Sequence, residues 1–174
     1  EPTIILTKNP DSETMVEEIF GPVLTIYVYE DNDFEEILEL CDKASPYALT
    51  GSIFSSSEEN IQKAYNKLRF TAGTFYINDQ PTGAVAHPDC DKKGLLVALL
   101  RGAFEYQGQK CSAASRAYVP SSVWDSMGDD LVKEVEKIKM GDATDFSNFM
   151  TAVIDDRAFN KINGYIDRAR GDTD

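Results

Sequence analysis

The sequence predicts an α/β domain built on a mainly parallel open sheet, with helices on both faces. Three observations lead there. Runs rich in β-branched and aromatic residues alternate with runs of helical period, the order that crossover connections between parallel strands require. At 174 residues the chain is long enough for one domain with a real core and too short for two. Hydrophobic residues make up 42% and charged residues 27%, the balance of a chain that folds rather than stays disordered.

Leu24 to Tyr29 is the first strand, entered through the turn Gly21-Pro22. Asp31 or Asp33 then caps a helix from Phe34 to Cys41, whose apolar positions 34, 37, 38 and 41 share one face. Ala48 to Phe54 is the next strand. Ser57 to Asn60 starts a helix that carries Ile61 to Leu68, and Gly73 to Ile77 forms a third strand. Asn78 to Gly83 is dense in turn residues and marks a loop or a junction. A short strand from Ala84 to His87 follows, then a helix from about Lys92 to Phe104. That helix holds the longest apolar run, Leu95 to Leu100, which reads as buried. Ala113 to Val119 is a strand with irregular first residues. Pro120 opens a helix to about Ile138, with Val123, Met127, Leu131, Val135 and Ile138 on its apolar stripe. A last helix, about Asp155 to Arg170, carries Phe159, Ile162 and Ile166 at helical spacing.

Charge excludes some functions. A formal charge of −13 opposes nucleic acid, because phosphate binding needs clustered Lys and Arg, and it repels anionic membranes. No apolar run approaches the ~18–20 residues that span a bilayer. Glu1 to Leu6 has neither the basic start nor the methionine of a signal peptide, so any targeting segment is expected to have been removed, or the chain is an excised piece. Cys41, Cys90 and Cys111 are odd in number and widely spaced, which argues against a disulfide framework and for a reducing compartment. Asp89, Asp91 and Lys93 begin like a calcium loop, but the cation and Leu100 at the twelfth position break the ligand set, so no metal is expected. Asp31, Asp33, Glu35 and Glu36 read as a solvated helix start favoured by the dipole.

Cys111 is the candidate nucleophile. A thiol becomes useful when cations, backbone N–H groups or a nearby base stabilise its thiolate. Lys110 is adjacent, and Gly108 permits a tight turn that presents N–H donors. His87 offers a Cys–His pair, but beside Pro88 it reads better as a strand-end residue. Free cysteines are also among the most buried residue types, the reading that fits Cys41 in its helix stripe. On the residues alone both readings of Cys111 stay open.

The run Phe104-Glu105-Tyr106-Gln107-Gly108-Gln109-Lys110-Cys111-Ser112-Ala113-Ala114-Ser115-Arg116 resembles the nucleophile segment of the aldehyde dehydrogenase superfamily, and within it the pyrroline-5-carboxylate dehydrogenase family. Glu17-Glu18-Ile19-Phe20-Gly21-Pro22 resembles the superfamily's cofactor-contacting motif. Similarity extends through His87 to Asp91, Met150 to Asp156, Tyr47 to Gly51, Ala72-Gly73 and Phe75 to Asp79, so it covers nearly the whole chain. It implies an aldehyde dehydrogenase catalytic-domain-like fold and NAD as cofactor. The implied reaction is oxidation of L-glutamate γ-semialdehyde to glutamate in proline catabolism, in the mitochondrial matrix of eukaryotes. Cys111 would attack the aldehyde while its backbone N–H helps hold the oxyanion. Glu18 would bond the nicotinamide ribose, Phe20 would line that site, and Lys110 and Gly83 would engage the substrate carboxylate. Without the resemblance, Glu17 and Glu18 read as a solvated helix end and Phe20 as core.

The order departs from the family. There the cysteine segment comes first; here residues 1–85 resemble the later segment and residues 86–174 the earlier, with the join near Gly83 to His87. Circular permutation gives this order, with old termini fused and new ones opened between Asp174 and Glu1, leaving a single permuted domain over 1–174. The 174 residues hold no glycine-containing NAD-binding half, no general-base glutamate in a Leu-Gly-Gly context, no upstream oxyanion asparagine, no Pro-Phe-Gly-Gly region and no oligomerisation hairpin. Ala84 stands where the family carries serine and Thr74 where it carries asparagine. Lys92 to Leu100 also departs, and Gly94 is a poor helix residue. These departures read as redesign. The expectation is an engineered, permuted catalytic-domain fragment that by itself has no dehydrogenase activity and binds no NAD. Two alternatives stand beside it. One is a functional or split NAD-dependent enzyme that uses Cys111; the other is a scaffold or binding module that self-associates through an uncovered domain interface.

Overall fold

A computed structural model describes residues 1–46, 49–79 and 83–171. Its sheet has six strands: β1 (Thr3–Thr7), β2 (Val23–Tyr29), β3 (Thr50–Phe54), β4 (Thr74–Ile77), β5 (Gly83–Ala86) and β6 (Arg116–Pro120). Their order is β1-β2-β6-β5-β3-β4, and every described pairing is parallel. The helices are α1 (Glu13–Val16), α2 (Phe34–Lys43), α3 (Glu58–Leu68), α4 (Lys92–Phe104), α5 (Ser121–Glu136) and α6 (Asp156–Gly171), with a 3-10 turn at Glu105–Gly108. The expected open parallel α/β sheet is the fold. No helix among the described residues is long and apolar enough to cross a membrane.

Strand side chains alternate between faces, and the core divides accordingly. Leu24, Ile26, Ala84, Ala86, Ala117 and Val119 face one side, where Leu95, Leu99, Phe104, Val123 and Leu131 of α4 and α5 cover them. Tyr29, Ile53, Val85 and Tyr118 face the other, under Phe34, Ile37, Leu38, Ala64 and Leu68 of α2 and α3. A smaller cluster joins Ile19 and Val23 to Ile162 and Ile166 of α6.

Several expectations shift. β1 and α1 leave no periodic signature in the sequence, because residues 3–7 show no alternation and α1 is a single turn. β1 is fixed by its ladder to β2 at the sheet edge, where Leu6 stays 55% exposed. β6 begins at Arg116 rather than Ala113, since the Ala114 N–H donates to the Gly102 carbonyl of α4 at 2.9 Å instead of to a neighbouring strand. Leu95 to Leu100 is not wholly buried: Leu95 and Leu99 face the core while Val97 is half exposed. Phe159 is exposed, and buried Ile162 and Ile166 carry the α6 contact with Ala158 and Tyr165 packed beside them. Asp31 does not cap α2; its carboxylate accepts from the Ser122 N–H at 3.1 Å and so holds the start of α5. Gly94 has a local reason, since a Cβ there would sit 3.0 Å from Asp91 Oδ2, the carboxylate that caps α4 through the Lys93 N–H. Tyr47 and Ala48, residues 80–82, and residues 172–174 lie outside the described residues.

The two stretches on either side of residues 83–87 interleave. β6, from the second, is inserted between β2 and β5. Neither stretch completes the sheet without the other, and β5 lies inside it rather than at a surface junction.

Candidate functional site

Parallel strands share a direction, so the segments entering β2, β5 and β6 collect at one end of the sheet. Gly21-Pro22 leads into β2, Gly83 opens β5, and the Cys111 loop leads into β6. His87 follows β5 and lies at the opposite end, a strand length away from the Cys111 loop. Topology therefore removes the Cys111–His87 pair.

The two sequence motifs meet at Gly108 and Gly21. Gly108 has φ +63°, and a Cβ there would lie 2.2 Å from the Gly21 carbonyl oxygen and 2.8 Å from that of Ala103. Only glycine permits both the left-handed backbone and this approach. Phe20, Tyr106 and Gln107 also take positive φ, at 59°, 52° and 59°. Each such L-residue is disfavoured by ~1–2 kcal/mol, and the conformation persists where the surroundings over-determine it. Those surroundings are visible. The Ile154 N–H donates to Gln109 Oε1 at 2.9 Å, and Lys161 Nζ donates to the Glu18 carbonyl at 3.1 Å. The Ile162 side chain lies against Gly21, and Arg116 donates to the Met15 carbonyl at 2.9 Å.

Cys111 is exposed on this loop. Burial pushes the Cys41 and Cys90 thiols up to about 11, so neither holds a thiolate at neutral pH. Phe20, 41% exposed, lines an apolar cavity of about 300 Å³ with Ile19, Gln109, Ile154, Ala158 and Lys161. Glu18 is exposed beside it. Lys110 faces elsewhere: its Nζ lies 3.2 Å from Glu105 Oε2 and 5.6 Å from the Tyr106 ring centroid, in a cavity of about 520 Å³ under α4. Gly83 lies beside Arg116 in a third, narrow cavity of about 40 Å³, which the buried Ser52 also lines. Phe20 and Gln109 thus share one cavity, while Lys110 and Gly83 occupy two others.

The Phe20 cavity is at the small end of ligand pockets, with room for a ring and a sugar rather than a whole dinucleotide. An aromatic face and a nearby carboxylate fit a nicotinamide ribose. No described helix starts with the glycine-rich turn that cradles a pyrophosphate.

The opposite end of the sheet is a structural network. Asp89 accepts from Ser55 Oγ at 2.7 Å and the Ser56 N–H at 3.1 Å, and the His87 ring nitrogen lies 2.9 Å from it. Burial pushes the Asp89 carboxyl up, but these hydrogen bonds outweigh it and hold the group below the usual range. His87 also meets Phe34 edge to face at 4.6 Å. With Asp89 and Asp91 so engaged, the calcium-like spacing has a structural use.

The model of the aldehyde dehydrogenase family matches in two stretches, residues 1–88 and 84–173. The chain belongs to the aldehyde dehydrogenase family. The mitochondrial delta-1-pyrroline-5-carboxylate dehydrogenases of Dictyostelium discoideum and Homo sapiens are 65% and 48% identical to it over 85 residues, which is 49% of this chain and 15% of each relative. Among solved structures, the Delta-pyrroline-5-carboxylate dehydrogenase from Mycobacterium tuberculosis gives a TM-score of 0.52 at 30% identity, covering 86% of this chain and 24% of that one. The same enzyme bound with NAD gives 0.51 at 27% identity, covering 86% of this chain and 34% of that one. The chain therefore spans well under half the length of these relatives.

Sequence reasoning missed the parts played by Glu105 and Gln109 of this loop and by Arg101 at the end of α4. Gln109 lay inside the quoted motif, but only its bond to Ile154 reveals a role. Arg101 and Glu105 are one helical turn apart, a spacing that signals an ion pair but does not locate it beside Lys110.

Proposed function

We propose that these residues are a catalytic-domain segment of a pyrroline-5-carboxylate dehydrogenase, with its two stretches joined in exchanged order. The reaction is oxidation of L-glutamate γ-semialdehyde to glutamate in proline catabolism, which the relatives' names would place in the mitochondrion. The observation that carries the reading is the Gly108–Gly21 contact, which brings the cysteine loop against the Glu18-Phe20 segment. Cys111 Sγ adds to the aldehyde carbon to form a thiohemiacetal, and its backbone N–H helps to hold the oxyanion. NAD, when bound, would supply the hydride acceptor whose use leaves a thioester on Cys111, and Glu18 and Phe20 would hold its nicotinamide ribose. Water then cleaves the thioester, releasing the acid and restoring the thiol.

One observation supports the exchange. The family model matches twice, with the stretches overlapping at residues 84–88, where a chain in parental order gives one continuous match. Separately, Ala84 faces the core from β5, where a serine hydroxyl would be buried, so an apolar residue suits the position. We read the exchange as engineered, and the Gly83-opened strand as a graft into the sheet. The cofactor-cradling half lies outside these 174 residues, which alone are expected to show no turnover.

The test is NADH formation from glutamate semialdehyde and NAD, with and without a relative's cofactor-binding half, beside Cys111→Ser. The expected result is no signal alone and a Cys111-dependent signal on complementation. Turnover that survives Cys111→Ser overturns the nucleophile, and Cys111-dependent turnover alone overturns the incompleteness.

Exposed apolar side chains favour a second reading, self-association. Ile154 is 83% exposed next to the Phe20 cavity, and Phe146 is 97% exposed. Sedimentation that finds a monomer at every concentration removes it.

A further inference from the structure

β1 is an edge strand: it pairs with β2 on one side and with no described strand on the other. The ladder tells which of its backbone groups face outward. The Thr3 N–H donates to the Pro22 carbonyl at 2.9 Å, toward β2. Alternate residues of a parallel ladder aim their N–H and C=O the same way, so Ile5 and Thr7 also face β2. The N–H and C=O of Ile4 and Leu6 therefore face the open edge. Natural edges are blunted by a proline, a charge, a bulge or a covering helix. Thr3–Thr7 contains no proline and no charge, and its register with β2 runs without a bulge. No residue of it is buried, Leu6 is 55% exposed, and an open cavity of about 250 Å³ flanks its carboxyl end.

We propose that β1 is a dimerisation edge, at which two copies of this chain meet antiparallel about Ile5 and join their six-stranded sheets into one. The strand reads Thr-Ile-Ile-Leu-Thr, the same by residue class in either direction. Such a pattern is self-complementary across a twofold axis, the symmetry of an isologous dimer. An axis through Ile5 sets Ile4 opposite the other copy's Leu6, and Thr3 opposite its Thr7. The outward groups of Ile4 and Leu6 then exchange both hydrogen bonds in each of two pairs. Ile5 meets itself in the closer pair between them, and threonine meets threonine. An axis at Ile4 instead sets Leu6 opposite Pro2, which has no N–H to give, and an axis at Leu6 sets Ile4 opposite Lys8, outside the strand. The Ile5 register also brings Lys8 beside Glu1 of the other copy, opposite charges at each end of the joint. The contact is small, so the dimer is weak and reversible, and −13 on each copy opposes it unless salt screens the charge. It depends neither on the proposed reaction nor on the Ile154 and Phe146 surface.

Sedimentation of the intact chain over a range of concentrations, in about 1 M salt where charges are screened beyond ~3 Å, tests the proposal. A monomer–dimer equilibrium is expected. Leu6→Pro removes one outward donor per copy and none from the β1–β2 ladder, and is expected to raise the dissociation constant at least about tenfold. Leu6→Lys places a charge on the edge of each copy and is expected to do the same, so it decides the matter if Leu6→Pro does not fold. Register is read by mild oxidation in a Cys111→Ser background, which removes the exposed thiol. Ile5→Cys is expected to link into a covalent dimer. Leu6→Cys is more exposed but lies ~7–8 Å from its own copy across the diagonal, and is expected to stay unlinked. A monomer at every concentration overturns the proposal, and so does linkage at Leu6→Cys rather than Ile5→Cys. A dimer that both Leu6 variants keep but Ile154→Ser loses belongs to the other surface and overturns it too.

Discussion

Gly108→Ala probes the joint on which the whole site depends. The added Cβ would start 2.2 Å from the Gly21 oxygen and 2.6 Å from its carbonyl carbon. Reaching the 3.0 Å that real Cβ contacts respect requires the two loops to part by 0.8 Å, and every nearest atom is backbone, so no side chain can swing aside. The alanine must also hold φ near +63°. The left-handed conformation costs ~1–2 kcal/mol and the overpacking ~1–3, giving a loss of about 2–5 kcal/mol. For a chain of this size that lowers Tm by about 5–15 °C. The single Trp124 reports unfolding in urea, where a lower midpoint with unchanged slope is expected. Gly164→Ala is the control: inside α6 its Cβ comes within 3.3 Å of the Arg168 Nη1 end alone among the described atoms, a side-chain tip that needs to give by only a few tenths of an ångström, and helix propensity stabilises it by ~0.5–1 kcal/mol. A Gly108→Ala chain within ~0.5 kcal/mol of wild type would show that the loops are not in contact, and the site geometry would fall with it.

A brief alkylation at pH near neutral, read by mass spectrometry, is expected to label Cys111 and spare Cys41 and Cys90, whose thiols burial pushes up to about 11; equal labelling of Cys90 would contradict its burial. Asp89→Asn is expected to destabilise the chain by about 1 kcal/mol at neutral pH, a figure kept small for a partly exposed group. Because the folded Asp89 carboxyl lies below its unfolded range, its contribution is full above pH ~4 and lost as pH falls through the folded value, so urea midpoints of the two chains should converge only in acid. Thr25→Val is expected to stabilise by about 1 kcal/mol in thermal melts, since the Thr25 hydroxyl is fully buried without a partner among the described residues and valine keeps the branched shape; a loss of similar size would mean that the hydroxyl is satisfied.

Much of this molecule is written in local pattern. The periods of residues 34–41, 61–68 and 121–136 determine their helices, because each apolar stripe is set by spacing along one segment. Alternating strands and helices determine a parallel sheet, and the run around Cys111 marks the candidate nucleophile before any coordinate is known. The misses share a cause. β1 carries no period that distinguishes it, and only its ladder to β2 makes it a strand. Asp31 sits one turn before α2 yet binds the start of α5, a choice made by strands β2 and β6 lying side by side.

Site composition divides in the same way. Sequence supplied Cys111, Lys110, Glu18, Phe20 and Gly83 as chemistry, and chain distance says nothing about which of them meet. Tertiary structure decided that Gly108 rests on Gly21, that His87 lies at the far end of β5, and that Lys110 is held by Glu105. It also decided that the junction strand β5 becomes an interior strand between β3 and β6. Local propensity fixes the elements, since each is stabilised within its own segment. Strand order and the meeting of loops are set by long-range burial, which exists only once the whole sheet has closed over its two cores.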